Sequence, residues 1–206
     1  MKVLPFKIPK PKNEALVYQI DNEWVFYDQL HQHAEIQISF IERGTGTLLV
    51  GDTINEYLNN DIVVIGGFLP HVFRSDSDSP EISTMHTLFF DYNSFGEIFF
   101  KLPDMTETKD FFKKSMYGMK IISNKERIID NFKKLSNQNN VEQIGTLLYI
   151  INEITKAKTI PLSSFIYAKT YSDPEGKRMN DVVNFAMEKF RDPIKLEEIS
   201  DVAKLM

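Results

Sequence analysis

Residues 31–73 read HQHAEIQISFIERGTGTLLVGDTINEYLNNDIVVIGGFLPHVF, and this stretch decides the fold. Two histidines one residue apart open it. On a strand, alternate side chains share a face, so His31 and His33 are expected to point the same way, with Glu35, Gln37 and Phe40 on the strand that continues from them. Gly44 and Gly46 bound a tight turn. Gly51-Asp52 between two β-rich runs is a hairpin signal. Residues 61–65 (DIVVI) form a short continuous apolar run, expected as a strand buried on both faces. A Gly66-Gly67 turn then leads to Pro70-His71.

Outward from this unit, residues 16–20 (LVYQI) and 23–27 (EWVFY) predict two strands joined by a turn at Asp21-Asn22, and 82–92 (ISTMHTLFFDY) resumes β character after a polar loop at 74–80. Seven to nine short strands with turns every 8–12 residues predict a sandwich or barrel. The His-x-His, glycine turn and terminal Pro-His resemble the cupin pattern.

After Tyr92 the period changes to that of helices. Ile128, Ile129, Phe132 and Leu135 share one face of a predicted helix over 124–136, and Val141 to Lys156 carries a wide Ile/Leu stripe. One edge of that stripe, Ile144, Leu147, Ile151 and Ile154, has the spacing of a helix–helix seam. It can pack on its own barrel or pair with a second copy; a dimer through Ile144, Leu147, Leu148, Ile151 and Ile154 is expected, because a barrel has few ways to cover so broad a stripe. Residues 159–175, with two prolines, predict a linker. Met179, Val182, Val183, Ala186, Met187 and Phe190 then mark an amphipathic helix over 177–190, and another starts at Leu196.

Composition bounds the function. The 206 residues are 42% hydrophobic, enough for a real core, and the net charge of −5 gives no overall basic footprint for nucleic acid. There is no cysteine, which excludes disulfides and thiolate sites. Residues 1–15 are a Pro/Lys arm, either disordered or lying in a groove as a ligand-gated lid, without a signal-peptide core. No run approaches the ~18 apolar residues of a membrane span. A soluble cytoplasmic protein is expected.

Over nearly its whole length the chain resembles the AraC/XylS family of bacterial transcription regulators, on HQHAEIQISFIERGTGTLLVGD, DIVVIGGFLPHVFRSD, FGEIFFKLPDM and EGKRMNDVVNFAMEKFRDPIKLEEISDVAKLM. Phe190, Ile194, Leu196 and Ile199 fall at the spacing that opens the family's DNA-binding domain. The chain departs from the pattern at Lys195, Ser200 and Met206, where that family usually has a Ser/Thr cap, alanine and a turn serine. The resemblance implies a mainly β fold with α-helices: a cupin-type (double-stranded β-helix, jelly-roll) barrel, then helices, then the start of an all-α helix-turn-helix domain. The expected division is an arm (1–15), barrel (16–92), helical dimerisation region (93–158), linker (159–175) and truncated DNA-binding start (176–206).

By the same resemblance the barrel senses a small effector and its helices dimerise. The parent protein binds DNA through helix-turn-helix units of which this chain holds only the beginning. Residues 176–206 balance six basic residues with six acidic ones, so this chain is not expected to bind DNA specifically. Effector binding is expected at His33, Gln37, His71, Trp24, Phe40, Phe73 and Arg74, aromatics for walls and polar groups for hydrogen bonds. Metal-bearing cupins use two histidines, a glutamate and a third histidine; the matching positions are His31, His33, Gln37 and His71. A carboxamide stands where a carboxylate would help hold a cation, so no metal or other cofactor is expected, with those four as the ligands if one is present. With no full ligand set and no Ser-His-Asp order or phosphate loop, no catalytic residue is assigned and the chain is not expected to be an enzyme. A metal-dependent cupin enzyme and a dimeric interaction module with an empty barrel are the alternatives.

Overall fold

The computed structural model describes residues 15–76, 81–167, 173–189 and 192–204. Its strands are β1 (Val17–Glu23), β2 (Ile36–Arg43), β3 (Gly46–Val50), β4 (Thr53–Tyr57), β5 (Asp61–Ile65), β6 (His71–Ser75), β7 (Ser83–Phe90), β8 (Met119–Ile121) and β9 (Thr159–Pro161). Its helices are α1 (Thr108–Ser115), α2 (Lys125–Phe132), α3 (Asn140–Lys156), α4 (Asp173–Lys189) and α5 (Leu196–Ala203). One sheet runs β1-β7-β2-β5-β8-β9 and a smaller one β4-β3-β6. All pairings among these strands are antiparallel.

Side-chain alternation sorts each central strand into two cores. Ile36, Ile38 and Phe40 of β2, Ile62 and Val64 of β5, and Leu88 and Phe90 of β7 lie under Phe111 of α1, Ile128 and Phe132 of α2, and Leu147, Ile150, Ile151 and Ile154 of α3. The opposite faces supply Ile41, Val63, Ile65 and Met85, which pack with Leu48, Val50, Tyr57 and Phe73 of the smaller sheet. The continuous apolar run of β5 is thus buried on both faces, helices on one side and the second sheet on the other.

α3 begins with a capping box: Asn139 Oδ1 accepts from the amides of Val141 (3.0 Å) and Glu142 (3.1 Å), and Glu142 Oε2 accepts from the Asn139 amide (2.9 Å). Its wide stripe faces its own sheet. Leu147, Ile151 and Ile154 are at most 2% exposed and Leu148 packs against the same core, so the assignment of these residues to a dimer surface is corrected. The outward side of α3 instead carries Val141, 79% exposed, and Tyr149, 44% exposed.

Other local expectations also change. Asp21 and Asn22 do not turn; they continue β1, paired with Met85 and Thr84 of β7, because a full-length partner strand satisfies their backbone groups. Residues 24–27 leave the sheet. The helical span 93–158 contains β8, and 159–161 of the expected linker forms β9 beside it. The next residues strap onto the β3–β4 turn. Asp52 accepts from Ser163 Oγ (2.8 Å), the Ser164 amide (2.9 Å) and Ser164 Oγ; these hydrogen bonds, Ser164 first, lower its carboxyl pKa to about 2. Gly51 makes the strap possible: its φ is +58°, and a Cβ there would sit 2.4 Å from Ser163 Oγ. The helix expected over 177–190 begins earlier, at Asp173, and α5 starts at Leu196 as expected. The expected N-terminal arm apart from Ala15, residues 77–80 of the expected polar loop, residues 168–172 of the expected linker, and Phe190 and Met206 lie outside the described residues.

Candidate functional site

His31 and His33 precede β2 rather than lying on it. Two contacts fix them. His31 and His71 exchange main-chain hydrogen bonds, and the Phe68 amide donates to the His33 carbonyl at 2.7 Å. The Gly66-Gly67 turn permits the second: a Cβ on Gly67 would lie 2.3 Å from the Ala34 carbonyl oxygen, so only glycine lets the two backbones approach.

Each of the three imidazoles makes the same local bond. Nδ1 of His31 meets the Gln29 carbonyl at 2.8 Å, that of His33 the Glu35 carbonyl at 2.9 Å, and that of His71 the Leu69 carbonyl at 2.8 Å. A carbonyl only accepts, so each Nδ1 carries a proton, and on a neutral His31 or His71 the lone pair is then on Nε2. Burial, with the neighbouring His33 opposing charge, pushes the His31 pKa down to about 3. Burial and then His31 and His33 hold His71 well below the usual range. A ring nitrogen of each histidine lies within 4.8 Å of the others, and the buried Nε2 of His71 has no hydrogen-bond partner among the described residues. Ring centroids of His31 and His71 are 4.2 Å apart, and those of His33 and His71 5.1 Å.

Gln37 completes the cluster. Its Oε1 accepts from His33 Nε2 at 3.1 Å, so His33 faces acceptors at both ring nitrogens, and the Gln37 amide nitrogen donates to Ser39 Oγ at 2.8 Å; Ser39 in turn is 3.0 Å from Thr87 Oγ1. The site is therefore a buried group of nitrogen and oxygen ligand atoms, backed by a hydroxyl pair and walled by Phe89, whose ring meets His33 edge-on at 5.4 Å, and Tyr27, whose ring meets His31 at 5.0 Å. The Nε2 lone pairs of His31 and His71, His33 once its Nε2 proton is released, and the carboxamide oxygen suit a borderline divalent cation such as Zn, Ni or Cu. The unpartnered His71 Nε2 is the observation that such an ion would satisfy.

His31, His33, Gln37 and His71 are thus brought together. Phe73 lies on the same face of β6 as His71, further down, packed among Phe26 and Tyr57. The other expected pocket residues are not brought in. Trp24 is 61% exposed. Phe40 is on the opposite face of β2, against Phe132. Arg74 alternates outward from His71 and donates to Asn184 of α4. Placing these three in the pocket is corrected. Trp24 lies beyond the end of β1, and on β2 and β6 residues three positions apart face opposite ways. His86 also stands apart, bonded to Tyr18 and Glu42. Sequence reasoning misses Ser39 and Thr87. Ser39 shares the parity of Gln37 and is reachable by alternation; Thr87 comes from a partner strand 48 residues away, which no local pattern reveals.

No protein-family profile matches the chain, and no curated protein matches it. Solved structures similar to it include a cupin 2 conserved barrel domain protein from Rhodopseudomonas palustris, 25% identical with a TM-score of 0.32, covering 40% of this chain and 57% of that one. Another is a single-residue mutant of the Bacillus subtilis oxalate decarboxylase OxdC, 19% identical with a TM-score of 0.32, covering 38% of this chain and 22% of the other. A third is the AraC-like transcriptional activator CuxR, 9% identical with a TM-score of 0.43, covering 84% of this chain and 58% of that one. The chain thus spans 22% to 58% of the length of these proteins. The described residues are mostly β-sheet with several helices, and their structural neighbours include a cupin protein. The expectation that the chain is not an enzyme is corrected, because the solved structures of similar fold include one. No helix of the described residues is long and apolar enough to cross a membrane.

Proposed function

We propose that the chain is the small-molecule-sensing and dimerisation part of an AraC-type transcription regulator, with α4 and α5 opening the DNA-binding portion. The observation that carries this reading is the order of elements along the chain: a double sheet enclosing a buried donor cluster is followed by two amphipathic helices, with Lys189 of α4 3.4 Å from Glu198 of α5. The effector enters at His31, His33, Gln37 and His71, where imidazole and carboxamide groups inside an apolar shell recognise polar groups of a small ligand. Its differential affinity for two arrangements of the helices shifts their balance, on the usual scale of ~1–3 kcal/mol. DNA is contacted by the parent protein through its further helix-turn-helix elements, and the protein acts as a cytoplasmic homodimer.

A bound divalent cation would be held by ring nitrogens of His31, His33 and His71 and the carbonyl oxygen of Gln37, and would supply a Lewis-acidic anchor for a ligand oxygen. The chain's own residues orient that centre: the carbonyls of Gln29, Glu35 and Leu69 set the tautomers, and Ser39 sets the Gln37 amide. This donor set also supports a second reading, a metal-dependent cupin of enzymatic function.

Sedimentation analysis and gel shift on this chain and on the parent regulator test the first reading. A dimeric chain without sequence-specific DNA binding, beside a parent protein that has it, is the expected result. A parent protein that binds no DNA overturns it. Elemental analysis of protein purified without chelator or imidazole tests the second reading, which needs stoichiometric metal.

A further inference from the structure

α4 does not stand off from the sheets; it is seated on the outer face of the small one. Leu30, Leu49 and Val72 form a separate apolar cluster against which Met179 and Val183 pack. Beside that pair, one turn apart on the helix, are two asparagines. Asn180 Oδ1 accepts from the Leu30 amide at 3.0 Å and its Nδ2 donates to Gln29 Oε1 at 3.4 Å. Asn184 Oδ1 accepts from Arg74. Positions 179, 180, 183 and 184 recur at helical spacing on one side of α4.

The seat is also the back wall of the histidine cluster. Gln29 holds the His31 ring through its carbonyl and meets Asn180 with its side chain. Leu30 and His31 are neighbours, as are Val72 and His71, with one side chain of each pair turned to α4 and the other to the cluster. The two segments are joined there by the His31–His71 backbone exchange. A shift of either imidazole is therefore transmitted directly to the Leu30 amide and the Val72 side chain. The contact is also small and imperfect: Arg74 Nε is buried without a partner among the described residues, a cost that undocking α4 relieves.

We infer that the Leu30–Leu49–Val72 face with Gln29 and Arg74 is a docking surface for α4, and that docking is energetically coupled to the state of the His31–His33–His71 cluster behind it. This rests on the sensing role proposed above and deepens it by naming the contact through which the cluster reaches the helices.

The test uses the whole 206-residue chain with the variant Asn180→Ala/Asn184→Ala. Hydrogen exchange of α4 amides and of the Leu30 amide is expected to rise at least tenfold, while amides of β5 keep their protection and report an intact fold. The ¹⁵N signals of the His31 and His71 imidazoles are expected to move in the same variant. Unchanged α4 exchange overturns the docking surface, and faster α4 exchange with unmoved imidazole signals overturns the coupling. Zn²⁺ is the probe for the reverse direction: by reciprocity its affinity should change at least threefold in the variant. A wild-type chain that binds no Zn²⁺ removes the metal reading of the cluster, and the imidazole signals then decide the coupling alone. Failure of the regulator reading would show separately, as absence of DNA binding by the parent protein.

Discussion

His31 and His71 are joined by two backbone hydrogen bonds, 3.0 Å from the His31 amide to the His71 carbonyl and 2.9 Å in return, so residues 40 positions apart in sequence behave as one rung of a ladder. The rung places both rings inside the sheets and the adjoining residues, Leu30 and Val72, in the apolar cluster against which α4 packs. Most of what can be tested about the site follows from it.

Because His71 Nε2 is buried and unpartnered among the described residues, it is the donor most available to a cation. Replacing His71→Ala should weaken Zn²⁺ or Ni²⁺ binding at least tenfold, about 1.4 kcal/mol or more. His86→Gln should leave it unchanged, since His86 bonds Tyr18 and Glu42 outside the cluster. Isothermal titration of both variants checks this.

Gln37→Glu restores a carboxylate beside His33. Without metal the variant should melt below the wild type, because it buries a carboxylate close to His31 and His71, which burial keeps neutral. With saturating Zn²⁺ the order should reverse, since the anion adds to the cation's binding. Melting curves in chelator and in Zn²⁺ give both signs.

The two sides of α3 should respond oppositely. Ile151→Ala should cost about 2–5 kcal/mol in denaturant unfolding, as a fully buried side chain. Val141→Asp and Tyr149→Asp should leave monomer stability within about 0.5 kcal/mol, the usual range for surface changes. If α3 pairs in the dimer, they should lower its association constant in sedimentation equilibrium.

Asn139→Ala removes the oxygen that caps α3. A loss of about 1 kcal/mol is expected from equilibrium unfolding. Asn139→Asp should recover most of it, because an acceptor returns at the positive end of the helix.

Acid stability should depend on Asp61. Burial alone would raise its pKa, but hydrogen bonds from Lys120 and Lys125 and from the Leu58 amide outweigh that and lower it. A carboxyl with a depressed folded-state pKa contributes stability above its unfolded value, near 3.8, and loses it as pH falls through the folded one. Asp61→Asn should therefore cost about 1–3 kcal/mol at pH 7 and flatten the stability profile at the acid end, below about pH 4. Unfolding curves from neutral to strongly acid pH measure this.

Local chemistry makes some features legible. The Gly-Gly turn, the β3–β4 hairpin, the buried run of β5 and the start of α5 each depend on residues a few positions apart. Asp21-Asn22 is a good local turn, and only the presence of β7 alongside makes continued strand preferable there. The stripe of α3 reads as too wide for its own sheet because β8 and β9, which extend that sheet, are three residues each and leave no periodic signal.

The sequence by itself determined the donor set and the broad order of strands followed by helices, because residue chemistry and the 2.0 and 3.6 periods are local properties. Tertiary structure alone decided which donors meet. Strand alternation turned Phe40 and Arg74 away from Gln37 and His71, and cross-strand register brought Ser39 to Thr87. The packing of α4 on Leu30 and Val72 made one short segment both the wall of the cluster and the seat of a helix 150 residues later. Those outcomes depend on which surfaces cover each other's apolar area, a competition among all elements at once that no single stretch of the chain encodes.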